Sequence, residues 1–249
     1  MIVVPEASSF LLITQPDHAH LAAEILALWR RDGLPEHPRR ADLLFAAREH
    51  DNGWREADAA PRWNAEAGRP HDFLTLPRAD RIEIWERGVC RFATERPYAA
   101  LLVARHARTL LDGRRGQEGW DGLLDFLADF ERGLLEETAA TENELAADYR
   151  WIDRSDQISL KACAGWREAL ARPGLRIEPV ASVASGDDDG VVAIALAPFP
   201  LAGATTFRAA CRRIPARAYR SDADLGGELA AARWEELTVR VVPAGGDLV

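Results

Sequence analysis

The sequence predicts a mainly α-helical fold carrying a small antiparallel β-sheet, and three observations lead there. From about residue 15 to residue 172 apolar residues recur at helical spacing. After Pro173 the chain turns to short runs rich in Val, Ile, Thr and Phe, and residues 1–14 hold two apolar runs joined by turn residues. The expected arrangement is one domain over residues 1–249. A helical core at about 15–172 would carry a β-rich appendage at about 173–249, packed with the N-terminal hairpin, and 249 residues can bury a core of that size.

Composition narrows the function classes. A net charge of -9 argues against a general binder of nucleic acid or of anionic membrane. The basic residues are almost all arginine, with Lys161 the only lysine, and guanidinium groups suit phosphate. Cys90, Cys163 and Cys211 are far apart and form no C-x-x-C, so they read as reduced core residues rather than zinc thiolates or a disulfide framework. No basic segment precedes the first apolar residues, which Glu6 interrupts, and the run from Val191 is broken by Pro198 and Pro200. A cytoplasmic protein without a membrane span is expected.

Taken in order, Ile2–Val4 and Phe10–Ile13 form the two arms of a hairpin. Thr14-Gln15-Pro16-Asp17 then reads as a helix start: a Thr cap, a proline in the first turn and an acid three residues on. In the following helix Leu21, Ala22, Ile25 and Trp29 share a face with His18, whereas His20 points to the other side. Alone, an inward His18 is more commonly a hydrogen-bonded core residue than a ligand. Gly33 to Pro38 is a loop in which His37 has no supporting pattern. Ala41 to His50 is helical, with Leu43, Leu44 and Ala47 on one face and His50 and Asp51 on its two flanks. A carboxylate buried there needs an ion-pair partner or a cation. Asn52-Gly53 reads as the helix stop, with Gly53 expected to supply a left-handed or otherwise unusual backbone.

Residues 55–77 contain Pro61, Pro70 and Pro77 and a turn at Gly68-Arg69-Pro70, the signature of a long loop. Within it His71-Asp72 repeats the His-Asp pair, and His71 reads equally as a ligand or as a surface histidine. Helices are expected at 79–94, with Ile82, Ile84, Trp85 and Val89 apolar, and at 98–112, where Tyr98, Leu101, Leu102 and Leu110 are core-like. His106 falls between Leu102 and Leu110 and faces inward. The stripe Trp120, Leu123, Leu124, Leu127, Phe130 and Leu134 marks an amphipathic helix over 117–137. The next helix, about 142–170, carries Leu145, Tyr149, Ile152, Asp156, Ser159/Leu160 and Cys163, so Asp156 stands where a hydrophobe belongs. It is either a buried partner of an arginine or a metal ligand; the second reading gains from the unpaired needs of His50 and Asp51. Asp153, on the flank, is the weaker candidate. Strands are expected at 176–183, 191–196, 206–212 and 237–242. Gly186-Asp187-Asp188-Asp189-Gly190 lacks the alternating acids of a calcium loop and reads as a hairpin tip.

Two imidazoles and two carboxylates make a mixed nitrogen–oxygen donor set suited to Mn, Fe, Zn or Ni, one or two ions per chain. Such an ion acidifies bound water and polarises a phosphoryl oxygen. Arg48, Arg55 and Arg105 are the phosphate-binding candidates by sequence or helical phase. The chain has no G-x-S-x-G, no Walker-type loop, no H-E-x-x-H and no G-x-G-x-x-G.

The order His18, His50-Asp51, Asp156 resembles the ligand set of the HD-domain metal-dependent phosphohydrolase superfamily. Ile13–His18, Arg48–Trp54, Pro97–Leu102 and Ser155–Leu160 are similar, over nearly the whole chain, to an uncharacterised bacterial family of unknown function. The resemblance implies an HD-like helical core with His18, His50, Asp51 and Asp156 as ligands. It also implies that His71 and His106, which stand in the interval used by binuclear members, could complete a second metal site. The expected function is a metal-dependent phosphohydrolase acting on a small phosphorylated substrate, with Asp51 and His106 the catalytic groups. An HD-type di-iron oxygenase and a non-catalytic metal- or ligand-binding protein are the alternatives.

Overall fold

A computed structural model describes residues 1–180 and 191–245; the expected turn at 186–190 lies outside the described residues. The chain opens with the hairpin β1 (Ile2–Pro5) and β2 (Ser9–Ile13), then α1 (Gln15–Ala27). Thr14 caps α1 by accepting the Asp17 backbone N–H at 3.1 Å, and Pro16 sits in its first turn. α2 (Arg40–Glu49) runs into a 3-10 turn at Asn52–Trp54 and the short α3 (Arg55–Ala59). A small hairpin, β3 (Trp63–Asn64) and β4 (Arg69–Pro70), lies inside the loop expected at 55–77. Four helices follow: α4 (Arg78–Cys90), α5 (Pro97–Leu111), α6 (Asp121–Thr138) and α7 (Glu142–Ala164). The chain then returns to strands with β5 (Leu170–Arg172), β6 (Leu175–Val180), β7 (Val191–Ala197) and β8 (Thr205–Pro215), before α8 (Asp222–Ala231) and β9 (Trp234–Pro243).

The expected fold class, a mainly α, HD-like core with a small antiparallel sheet, is overturned. The chain is 48% helical and 21% strand, and one seven-stranded mixed sheet, in the order β1-β2-β8-β9-β7-β6-β5, gathers residues from both ends of the chain. All its pairs are antiparallel except β7 with β9. Every strand of this sheet except β5 falls on a run expected from the sequence, but runs judged singly do not reveal that they pair into one sheet. Three boundaries also hid its size. α7 stops at Gly165, whose φ of 64° ends the helix, so Leu170–Arg172 is a strand rather than the end of α7. β8 continues to Pro215, and β9 begins at Trp234 with exposed Glu235 and Glu236, an unpromising start by composition.

Helices and sheet share one apolar core. Ile13 from the hairpin, Ile25, Leu102 and Ile158 from the helices, and Ile177 and Val239 from the C-terminal strands belong to it. α1 packs on β8, and α7 on β1, β6 and β7, while both also touch α2. These two helices therefore lie between the sheet and the other helices, so they are held on both sides. No helix among the described residues is long and apolar enough to cross a membrane.

Candidate metal centre

Four separate pieces of chain bring five ionisable side chains to one place. His18 comes from the first turn of α1, His50 and Asp51 from the end of α2, His106 from the middle of α5 and Asp156 from α7. All five are at most 5% exposed. The end of α2 is fixed by close packing. The Asn52 side-chain amide donates to the carbonyls of Glu49 and Gly88 at 2.8 and 2.9 Å, tying the 3-10 turn to α4. Gly53 lies so close to α4 that a Cβ there would sit 2.1 Å from the Ile84 carbonyl oxygen. The glycine is needed for this approach; of the backbones the sequence allowed, the left-handed one is not used, since Gly53 is not among the positive-φ residues.

The hydrogen bonds decide which ring nitrogens face the centre. His50 Nδ1 donates to the Ala47 carbonyl at 2.8 Å, which leaves Nε2 as the inward atom, and that atom has no hydrogen-bond partner. The Ser159 hydroxyl donates to the Asp156 carbonyl at 2.9 Å and therefore accepts from His18 Nδ1 at 3.0 Å. In these tautomers, assigned from the network, both Nε2 atoms of the neutral rings carry lone pairs. They face carboxylates. His18 Nε2 lies 2.9 Å from Asp51 Oδ2 and 3.9 Å from Asp156 Oδ1; His50 Nε2 lies 3.6 and 3.4 Å from the same two oxygens. Such facing lone pairs repel unless a proton on a ring nitrogen or a metal ion sits between them.

Two donors each about 2.1 Å from one ion can be at most about 4.2 Å apart. All four distances fall below that bound. The ligand atoms of His18, His50 and Asp51, and likewise those of His50, His106 and Asp156, lie within 4.8 Å of one another. The two groups share His50, which offers only one inward nitrogen. His106 Nδ1 meets the Tyr149 hydroxyl at 3.3 Å, and its ring packs edge-on to that of His50 with centroids 4.8 Å apart.

The electrostatics agree with a cation position. Burial works against a charged His50, but the Asp51 charge and Asp156 prevail and raise its pKa to about 9. Burial raises both carboxylates, yet His50 and the other imidazoles hold Asp51 and Asp156 below their ordinary values. Burial and then the neighbouring His50 charge push His106 down to about 4, so it stays neutral. Among the described residues, every basic group within ion-pair distance of the two carboxylates is a histidine.

The cluster opens into a cavity of about 170 Å³. His18, Asp51, His106 and Asp156 contribute to its wall, with Trp54, Phe73, Trp85 and Leu160 forming an apolar lining and Leu74 and Leu110 exposed at its edge. Leu110, core-like by sequence, is half exposed here. The expected phosphate-binding arginines are elsewhere. Arg105 pairs with Glu131 and Glu142, Arg55 with the buried Glu49, and Arg48 points outward beside Glu49. Arg81 and Arg114 line the cavity in their place. His71, half-buried, meets the Thr75 hydroxyl at 3.4 Å and belongs neither to the donor groups nor to the cavity wall. His37 pairs with Asp148, and Asp153 with Arg172. Arg81, one turn before Trp85, shares its side of α4 by helical spacing, whereas Arg114 lies past the end of α5 in a 3-10 turn and no sequence pattern marks it.

A family model described as "Protein of unknown function (DUF3891)" matches residues 1–215, so the chain belongs to that family. The match carries no link to HD phosphohydrolases. No curated protein and no solved structure matches the chain.

Proposed function

We propose that this member of the DUF3891 family is a metal-dependent hydrolase of a phosphate ester, with one divalent ion held by His18, His50, Asp51 and Asp156. His106 is its fifth neighbour. The observation that carries the reading is the pair of inward Nε2 atoms facing two buried carboxylates beside an open cavity, a nitrogen–oxygen donor set that a metal ion can occupy once the His50 proton leaves. The mixed imidazole and carboxylate set suits Mn, Fe, Zn or Ni. Bound there, such an ion supplies an acidified water and polarises a phosphoryl oxygen.

The chain's own residues do the rest. Ser159 and the Ala47 carbonyl orient His18 and His50, the outer-shell role that holds ligand rings in place. The apolar wall of Trp54, Phe73 and Trp85 excludes bulk water and strengthens each charge interaction at the centre. In the net reaction the water oxygen forms a bond to phosphorus, the ester P–O bond breaks, and the leaving oxygen takes a proton. A single ion is favoured over a di-iron site because His50 Nε2 is common to both donor groups and His71 joins neither.

The test is hydrolysis of p-nitrophenyl phosphate and bis(p-nitrophenyl) phosphate by protein loaded in turn with each of the four metals. Turnover that is lost in Asp156→Asn supports the reading. Metal-loaded protein that cleaves neither ester, nor any of a panel of nucleotides and sugar phosphates, contradicts it.

A further inference from the structure

The mouth of the cavity holds a second chemical feature. Arg81, in the first turn of α4, and Arg114, just beyond α5, both line it, and their guanidinium carbons lie over the ring of Trp120 at 5.1 and 5.7 Å from its centroid. Neither meets a carboxylate within ion-pair distance among the described residues. Arg114 donates only to the Gln117 side chain at 3.1 Å, and the Arg81 Nε atom is buried without a partner. Most arginines with a short side-chain contact here pair with an acid, so two unpaired and adjacent guanidiniums stand out physically: each repels the other. Burial and then the Arg114 charge hold the Arg81 pKa below its ordinary value, the sign expected when a compensating anion is missing.

The pair is placed at a distance from the metal centre. From His106 the chain runs to the end of α5 at Leu111 and through the 3-10 turn to Arg114, a backbone rise of roughly 13 Å between the two residues along that wall. Arg81 stands one turn before Trp85, whose ring packs on His106. Between the two ends the lining is apolar: Trp54, Phe73, Leu74, Trp85, Leu110 and Leu111. The polar exceptions on this wall are Gln157, Gln15, whose Oε1 is a buried acceptor with no partner, and Trp54 Nε1, a buried donor with no partner.

We propose that Arg81 and Arg114 form an anion clamp at the cavity mouth, selecting molecules in which a phosphate or carboxylate is carried by a flat apolar body. Guanidiniums bind such groups through charge-assisted, bidentate hydrogen bonds, and both of these lie over the Trp120 ring. That the anion belongs to the substrate, with the cleaved ester at the other end, rests on the hydrolase reading above; the clamp itself does not.

Tryptophan fluorescence tests the clamp, because Trp120 and Trp85 report on it directly. Wild-type protein is titrated with phenyl phosphate and with benzoate, using benzyl alcohol as the uncharged control. Saturable binding of at least one anion is expected, weaker by about tenfold or more in both Arg81→Gln and Arg114→Gln, with benzyl alcohol unaffected by either change. Preference for phenyl phosphate assigns the clamp to phosphate, and preference for benzoate assigns it to carboxylate. Asp51→Ala, which removes the metal ligand, is expected to bind the anions as wild type does, so failure of the hydrolase reading leaves this result standing. No anion binding to wild type, or equal affinity in properly folded arginine variants, overturns the proposal. Loss of binding in Asp51→Ala with retention in the arginine variants overturns it too, since the anion would then sit on the ion.

Discussion

At the scale of single residues, the centre is an arrangement of oriented lone pairs, and its predictions follow from removing or protonating them. Asp51→Ala is expected to bring metal content to background while the helical circular-dichroism signal persists, since the side chain faces other ligands rather than the core. Ser159→Ala releases the His18 ring and should weaken metal affinity by roughly 10–100-fold, as loss of an outer-shell partner does. The pH dependence has a definite sign. His50 is raised above the ordinary histidine value to about 9 in the metal-free protein. The stability gained from its charge is therefore present below about pH 6.5 and lost as pH rises through about 9. An ion must displace that proton, so metal affinity should climb by roughly tenfold per pH unit between about 6 and 8.5, with about one proton released per ion, measurable by calorimetry in buffers of different ionisation enthalpy. His18 and Asp156 were legible in the sequence because helical phase alone turns them inward. Arg81 and Arg114 were not, because what they face depends on how the 112–120 loop folds over α4, where Arg78 donates to the Glu118 carbonyl.

At the scale of elements, the centre depends on how closely the end of α2 meets α4. Gly53→Ala places a methyl group against backbone at Ile84 and should destabilise by about 1–3 kcal/mol or more, read by urea denaturation, with metal affinity falling as His50 and Asp51 shift. Gly133→Ala is the contrasting case. Gly133 lies inside α6 with nothing within 4 Å of an added Cβ, so the change should stabilise by about 0.4–1 kcal/mol and leave metal binding untouched. The sequence marks Gly53 as part of a helix stop and places Gly133 inside a helix, but shows for neither what an added Cβ would meet. Only the partner, Gly88 on α4 in one case and open space in the other, separates them. The helices themselves were readable from apolar spacing, and the Thr141–Glu144 capping box marks the start of α7, but its stop at Gly165 was overlooked in favour of continuing hydrophobicity.

At the scale of the whole molecule, the sheet supports the helices that carry the donor cluster. β9 lies between β8 and β7, and Val239 and Val241 are fully buried in the core shared with α1 and α7. Val239→Asp should therefore abolish the helical and the sheet signals together, in one transition seen alike by circular dichroism and tryptophan fluorescence, even though β9 lies beyond the residues matched by the family model. The sequence marks all strands of the sheet but β5 and not the sheet itself, for a physical reason: strand pairing is non-local, and alternation within a run says which face is buried without saying which neighbour it meets. The same sheet grips α1 and α7, which carry His18 and Asp156 from opposite ends of the helical region to within 3.9 Å of each other. The measurement closest to this claim is the metal content of protein purified without chelator and then offered Mn, Fe, Zn and Ni. The account predicts one ion per chain, raising the unfolding temperature, and none in Asp51→Ala. Wild-type protein that takes up no ion and gains no stability from any of the four would contradict it.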